Sequence, residues 1–272
     1  MSPSPVAEAP VAAEALRTDQ RISPWGWPLI AVRLTVLLTW LIGCLLLHHL
    51  VALFSPSSPI PRLFLRGAGM IAGLRVRTHG KRTDERTFLL SNHVSWLDIP
   101  ALAGSTGTAF VAHEGLARVT LLRWLCKLND TVFVARERRT SVAEQVRQVR
   151  DALTESGALT IFPEGTTSDG TGTLPFKSSL LSALEGDAGV AVQPVWLDYG
   201  TETPGIAWIG EESGLHNALR LLARVRPIHL DVHLLTPLSP DERADRKRMA
   251  RAAHSAIARA RAGQHRTPPV TE

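Results

Sequence analysis

Residues 86–98 read RTFLLSNHVSWLD, and this stretch indicates how the chain folds. Its first half is an apolar run typical of a buried strand, and its second half carries polar residues into a predicted helix. Polar side chains that follow the carboxyl end of a strand lie where α/β sheets usually bind their ligands. We therefore predict a strand, a functional loop and the start of a helix within these residues.

Five positions separate His93 from Asp98. If both lay on one helix, their side chains would point about 140° apart. They can meet if His93 stays in the loop while Asp98 lies in the first helical turn. Asp98 would then hold one ring nitrogen of His93 and leave the other free to act as a base. The alternative is a structural histidine that is hydrogen-bonded within the loop.

A base with an orienting carboxylate is two-thirds of a hydrolase triad. The missing nucleophile can come from the substrate, since an alcohol deprotonated by His93 could attack a thioester directly. Ser95 as the nucleophile would instead predict a thioesterase or lipase, but Ser95 lacks the Gly-x-Ser-x-Gly elbow of such enzymes.

From Arg75 onward, predicted strands alternate with predicted helices. The strand candidates are 75–79, 86–91, 108–112, 131–135, 158–162, 190–197 and 228–235, and the helical stretches are 95–104, 114–128, 140–156 and 177–186. This alternation predicts an α/β fold with a largely parallel central sheet flanked by helices.

Two further loops follow predicted strands. Residues 161–170 read IFPEGTTSDG, in which glycine, hydroxyls and free N–H groups suit an oxyanion, and Glu164 could orient an acceptor hydroxyl or bind a basic headgroup. Arg136 ends another strand, where its planar guanidinium could clamp a phosphate.

Residues 34–54 contain no Asp, Glu, Lys or Arg, and their length is close to the roughly 20 residues that cross a bilayer as a helix. Trp25 and Trp27 precede them, as in an interfacial aromatic belt. The segment 61–74 reads as a short interfacial helix. Two arrangements fit: one spanning helix, or a helical hairpin that dips into one leaflet.

The chain of 272 residues is long enough for one large domain and an appendage. Its net charge of +5 suits an anionic partner such as a membrane, but the chain has no recognisable nucleic-acid motif. Its two cysteines show no disulfide or metal spacing and fit intracellular surroundings.

We expect a disordered tail at 1–24, membrane-associated helices at 25–74, an α/β domain at 75–238, and a basic helix with a tail at 239–272. The basic helix is predicted to start at the capping box that begins with Ser239.

Four sequence blocks occur in a fixed order: Asn-His-x4-Asp, Val-Phe-Val-x-Arg, Phe-Pro-Glu-Gly-Thr and Val-x-Pro-Val. Together they resemble the glycerolipid acyltransferase family, over about residues 70–200, whose best-known members are the 1-acyl-sn-glycerol-3-phosphate acyltransferases. The resemblance implies a membrane enzyme of phospholipid biosynthesis that transfers an acyl group to the hydroxyl of a lysolipid, 1-acyl-sn-glycerol-3-phosphate. Its catalytic domain would lie on the cytoplasmic face, and no acyl-enzyme would form.

The resemblance also assigns roles to residues. It makes His93 and Asp98 the catalytic dyad, supported within the first block by Asn92 and Ser95, and it places Arg136, Glu164, Gly165 and Thr166 in the acceptor site. It implies acyl-CoA or acyl carrier protein as co-substrate, with no other cofactor and no metal.

Two features depart from the commonest family pattern. His113 stands where many members carry a lysine, which weakens the case for a phosphate-bearing acceptor. Residues 131–134, 167–170, 174–178 and 207–210 resemble a subgroup that includes lyso-ornithine lipid acyltransferases. A lyso-ornithine lipid is therefore the alternative acceptor, and a non-catalytic membrane lipid-binding protein is the alternative of another class.

Overall fold

The computed structural model describes residues 21–55, 58–83, 86–113, 131–134, 142–185, 187 and 189–264. The helices are α1 (Gly26–Ala52), α2 (Ile60–Ile71), α3 (Asp98–Thr106), α4 (Val142–Ser156), α5 (Gly214–Leu222) and α6 (Arg246–Gln264). The strands are β1 (Leu74–His79), β2 (Arg86–Ser91), β3 (Ala109–His113), β4 (Val132–Val134), β5 (Ala158–Ile161), β6 (Val190–Asp198) and β7 (Ile228–Leu234). Two 3-10 helices cover Ser179–Leu184 and Gly200–Gly205, and the helix predicted at 114–128 lies outside the described residues.

The seven described strands form one sheet in the order β1-β7-β6-β2-β5-β3-β4. Among these strands every neighbouring pair is parallel except β6 and β7, which confirms the predicted largely parallel sheet. Strand β2 lies between β6 and β5, with Leu90 opposite Pro194 on one side and Ile161 on the other. The carboxyl ends of these three strands therefore meet at one edge of the sheet, and the loops that follow them lie side by side.

Apolar clusters cover both faces of the sheet. Along β2, Leu89 joins one cluster while Phe88 and Leu90 join the other, because successive side chains of a strand point to opposite faces. Helices α3 and α5 contribute to the first cluster, and α4, α6 and the 3-10 helix at 179–184 contribute to the second. Burial on both faces explains why the central strands β2, β5 and β6 are near-continuous apolar runs, whereas edge strand β1 is exposed beyond its first residue.

Helices α1 and α2 pack against each other and against the face of the sheet that the first cluster covers. The indole nitrogen of Trp40 in α1 donates to the Phe64 carbonyl of α2 at 3.2 Å, and Arg33 donates to the Leu222 carbonyl at the end of α5 at 2.9 Å. Helix α1 has 27 residues and begins at Gly26 rather than at residue 34. Its length and composition would allow it to cross a membrane, and 11% of its most apolar window is buried in the protein.

The predicted start of the C-terminal helix is wrong. The capping-box contacts do form, with the Glu242 carboxylate accepting the Ser239 N–H at 2.8 Å, but they close only a turn. The helix starts at Arg246, where the Asp245 carboxylate accepts the N–H groups of Lys247 and Arg248 at 2.8 and 2.9 Å. A second capping side chain, Asp245, therefore begins the helix six residues later than a cap at Ser239 would.

Candidate active site

The loop between β2 and α3 brings His93 and Asp98 together. Strand β2 ends at Ser91, and α3 begins at Asp98, so His93 lies in the loop and Asp98 in the first helical turn. The Nδ1 atom of His93 lies 2.8 Å from Oδ2 of Asp98. The predicted contact is present, and it has the loop-to-helix geometry that the spacing requires.

Asp98 is completely buried and accepts hydrogen bonds from four groups of the described chain. Its Oδ2 receives the N–H groups of Val94 at 2.7 Å and Ser95 at 3.0 Å in addition to the His93 ring. Its Oδ1 receives the Tyr199 hydroxyl at 2.6 Å. These donors and the amino end of α3 favour the ionised carboxylate. An ionised Asp98 requires the proton of a neutral His93 on Nδ1, which leaves Nε2 as a free base.

Tyr199 is the residue that sequence reasoning missed. It is the only tyrosine of the chain, lies directly after β6 and is 3% exposed. Burial and the neighbouring Asp98 carboxylate raise the pKa of its hydroxyl well above the usual value, so it remains a donor. Its place after a strand that neighbours β2 is the signal that could have identified it.

The imidazole of His93 is held against an aromatic ring and keeps one exposed edge. It stacks on Phe162 with ring centroids 3.9 Å apart and an angle of 16° between the planes. The His93 side chain is 18% exposed, and its Nε2 atom has no hydrogen-bond partner among the described residues. The ring is therefore fixed in orientation but accessible to a substrate.

Two other loops clamp the backbone around His93. The N–H and hydroxyl of Ser168 both donate to the His93 carbonyl, at 2.7 and 3.1 Å. The Trp208 N–H donates to the Val94 carbonyl at 2.9 Å, and the Trp208 carbonyl accepts the Thr167 hydroxyl. The loops after β2 and β5 and the segment around Trp208 thus form one hydrogen-bonded unit.

Glu164 lies buried beneath this loop at 2% exposure. Its Oε1 accepts the His93 N–H at 3.4 Å, whereas Oε2 is buried without a hydrogen-bond partner in the described part of the chain. Burial raises the pKa of Glu164 to about 7, against the opposing effect of the His93 N–H. Gly165 follows with a φ of +76°, a conformation that favours glycine, and Thr166 is exposed.

Asn92 and Ser95 have structural contacts. The Asn92 side chain donates to the Leu197 carbonyl at 3.0 Å and accepts the Leu197 N–H at 2.7 Å, which extends the pairing of β2 with β6. Ser95 is completely buried, and its hydroxyl accepts the Leu97 N–H at 3.4 Å. A buried hydroxyl in this position does not support Ser95 as the nucleophile of a hydrolase.

Arg136, predicted for the acceptor site, lies outside the described residues, and the side chain of His113 is also outside them. Within the described ranges, no group of three or more His, Cys, Asp or Glu side chains is arranged to hold a metal ion.

Comparison with known proteins identifies the family. A family model described as "Acyltransferase" matches residues 74–198, which include β1 to β6 and the His93–Asp98 pair. A lyso-ornithine lipid O-acyltransferase of Rhizobium meliloti is 33% identical over 247 residues, which cover 85% of this chain and 82% of the relative. The chain belongs to the acyltransferase family.

Two other matches show how widely this acyltransferase resembles its relatives. A 1-acyl-sn-glycerol-3-phosphate acyltransferase of Neisseria gonorrhoeae is 32% identical over 152 residues, covering 54% of this chain and 59% of the relative. The crystal structure of the 1-acyl-sn-glycerophosphate acyltransferase PlsC from Thermotoga maritima shares the fold, with a TM-score of 0.58 and 21% identity. That match covers 77% of this acyltransferase and 80% of the PlsC chain.

Proposed function

We propose that this acyltransferase moves a fatty acyl group from the thioester of acyl-CoA or acyl carrier protein to the hydroxyl of a lysolipid. The observation that carries the proposal is the His93–Asp98 pair, in which one ring nitrogen is bound to a buried carboxylate and the other has no partner among the residues that the structure describes. Such a pair can remove a proton from an alcohol without forming an acyl-enzyme.

In the proposed reaction, Nε2 of His93 takes the proton of the acceptor hydroxyl as its oxygen attacks the thioester carbonyl. The tetrahedral intermediate then expels the thiolate, which receives the same proton back from the imidazolium. The products are an ester and a free thiol. Asp98 holds the Nδ1–H throughout and stabilises the imidazolium, and Tyr199 with two backbone N–H groups keeps the carboxylate in place.

For the acceptor, we favour a lyso-ornithine lipid over 1-acyl-sn-glycerol-3-phosphate. The support is the extent of similarity: the match to the Rhizobium meliloti lyso-ornithine lipid enzyme covers 85% of the chain, and the match to the Neisseria gonorrhoeae enzyme covers 54%. In either case, Arg136, Glu164, Gly165 and Thr166 are proposed to contact the acceptor.

Membrane association fits both the substrate and the N-terminus. Helix α1 is rich in apolar residues, and only 11% of its most apolar window is buried in the protein, as expected for a helix in lipid. With α2 packed beside it, this region would hold the dyad near lysolipids in the bilayer, with the catalytic domain on the cytoplasmic face.

Labelled acyl transfer in detergent or vesicles, read by mass spectrometry, tests the proposal. His93→Ala and Asp98→Asn should lower kcat by about 10²–10⁴-fold without unfolding the protein. His229→Ala is the control, because that histidine is exposed on β7 and belongs to no site described above. Retention of most activity by both dyad variants would refute the mechanism.

Two further outcomes address the alternatives. Release of free fatty acid from the thioester without any lysolipid would indicate a hydrolase, and binding of lysolipid without transfer would indicate a lipid-binding protein. A panel containing lyso-ornithine lipid and lysophosphatidic acid then identifies the acceptor. Higher kcat/KM with lysophosphatidic acid would overturn our order of preference.

A further inference from the structure

Helix α6 carries a row of cations that the proposed reaction does not use. Its 19 residues include six Lys or Arg and no Asp or Glu. Three of these cations, Lys247, Arg251 and Arg261, lie along one side of the helix together with His254, at spacings of four, three and seven. Met249 and other apolar residues of the helix pack into the core instead.

This row borders an open groove of about 420 Å³ between α6 and the loop at 170–178. The lining residues include no carboxylate and are Pro175, Phe176, Ser178, Lys247, Ala250, Arg251, His254 and Ser255. His254 fixes the loop to the helix, since its Nε2 lies 2.9 Å from the Thr173 hydroxyl and its ring meets Phe176 edge-on at 5.3 Å. The groove thus combines exposed cations, hydroxyls and an aromatic ring.

The loop at 170–178, which lines one side of the groove, also runs close to the loop that carries His93. A Cβ atom on Gly170 would lie 3.6 Å from a methyl group of Val94, the residue after His93. Two residues farther along the same loop, a Cβ on Gly172 would lie 3.7 Å from a guanidinium nitrogen of Arg261. The loop at 170–178 therefore connects the basic row with the loop that carries His93.

We propose that this groove docks an acidic acyl carrier protein, whose thioester arm then enters the active site past the loop at 170–178. The proposal rests on the proposed function and specifies the partner that delivers the acyl group. Lys247, Arg251 and Arg261 would attract an acidic protein surface and orient it before the arm reaches His93.

The extent of the basic row favours a protein over a nucleotide. From Lys247 to Arg261 the row covers 14 helical steps, or about 21 Å. That length matches one face of a small helical protein and exceeds what the phosphates of a single coenzyme A would occupy. The position of the row also argues against a membrane as partner, because α6 belongs to the apolar cluster opposite the face on which α1 packs.

The test compares two donors with the same lysolipid. Lys247 and Arg251 are exposed, so the double variant Lys247→Glu/Arg251→Glu should fold. We expect the ratio of kcat/KM with acyl carrier protein to kcat/KM with acyl-CoA to fall about tenfold or more, through KM and most strongly at low salt. Arg75→Glu/Arg77→Glu, on exposed positions of edge strand β1, is the control and should leave the ratio unchanged.

A second measurement uses holo acyl carrier protein alone, bound to the full-length enzyme in micelles and titrated with salt. Weaker binding by the groove variant than by the β1 variant supports the proposal. Four results would each overturn the proposal. They are an equal fall in kcat/KM with both donors, no fall with either donor, no use of the carrier protein by the wild-type enzyme, and weaker binding of the groove variant to anionic vesicles instead of to the carrier protein. If the wild-type enzyme transfers from neither donor, the proposed function fails as well.

Discussion

The buried carboxyl of Glu164 should make the free energy of unfolding of this acyltransferase fall as pH rises. A glutamate in a surface ion pair has the opposite effect, because its cationic partner lowers its pKa. Burial raises the pKa of Glu164 from 4.5 to about 7, and its Oε2 has no hydrogen-bond partner among the described residues. Between those two pH values the unfolded chain loses a proton that the folded chain keeps, so the free energy of unfolding falls as pH rises. Well above pH 7 the loss levels off at about 3.5 kcal/mol at most, since each tenfold change in proton affinity is worth about 1.4 kcal/mol.

Glu164→Gln removes this penalty while keeping the size and the acceptor oxygen for the His93 N–H. The variant and the wild type should differ little at about pH 5, whereas at about pH 8 the variant should gain roughly 2 kcal/mol relative to the wild type. Denaturant unfolding of both proteins in the same detergent, monitored by tryptophan fluorescence, measures the difference. Glu211→Gln, an exposed carboxylate, is the control and should show no such gain. A stability difference between Glu164→Gln and wild type that does not change between the two pH values would show that Glu164 ionises normally, and the reasoning would be refuted.

Three further predictions concern the supports of the site. Tyr199→Phe removes a hydrogen bond to a buried carboxylate and should lower the free energy of unfolding by about 1.5–3 kcal/mol, measured by denaturant unfolding. Its kcat, measured by steady-state kinetics, should fall less than that of Asp98→Asn, because Asp98 keeps its other donors. Asn92→Ala breaks both bonds to the Leu197 backbone and should lower stability by about 1–3 kcal/mol, whereas an unchanged unfolding midpoint would contradict its structural role. Gly170→Ala strains a residue with a φ of +70° and overlaps a methyl group of a neighbouring threonine, so thermal unfolding should show a loss of about 1 kcal/mol or more.

Local patterns in the sequence predicted the parts of this structure that depend on neighbouring residues. The strand predicted at 86–91 is observed with the same bounds. Five of its six residues are buried, and an apolar run is the local pattern that identifies such a strand. The contact of His93 with Asp98 was predictable for the same reason, since both residues belong to one loop and one helical turn. The family blocks around these residues lie within 74–198, the range that the family model matches.

The parts that could not be predicted depend on partners far apart in the chain. Tyr199 reaches Asp98 across 101 positions, and no local pattern marks that bond. The Trp208 N–H similarly bonds to the Val94 carbonyl only because β6 and β2 end at the same edge of the sheet. The late start of α6 has a different cause: Ser239 and Asp245 are both good caps, and composition alone does not decide between two caps six residues apart.

The asymmetry of the His93 ring determines where specificity can arise. Its Nδ1 side is closed by a buried carboxylate with a full set of donors, so this half of the site can serve only to orient the base. In the proposed reaction, its Nε2 side meets the acceptor hydroxyl, a group that every lysolipid acceptor has. Discrimination among headgroups therefore falls to the surrounding loops, which bond to the His93 loop through Ser168 and Trp208.

The segment around Trp208 is itself rigidly held. Its indole donates to the Glu212 carbonyl at 2.7 Å, and the buried Glu212 carboxylate binds Arg220, His216 and Asn217. These contacts lower the pKa of Glu212 against the effect of burial and keep it ionised. Among the described residues, the hydrogen bonds of this network are not made to His93 or Asp98, so we expect substitutions within it to leave the geometry of the dyad unchanged.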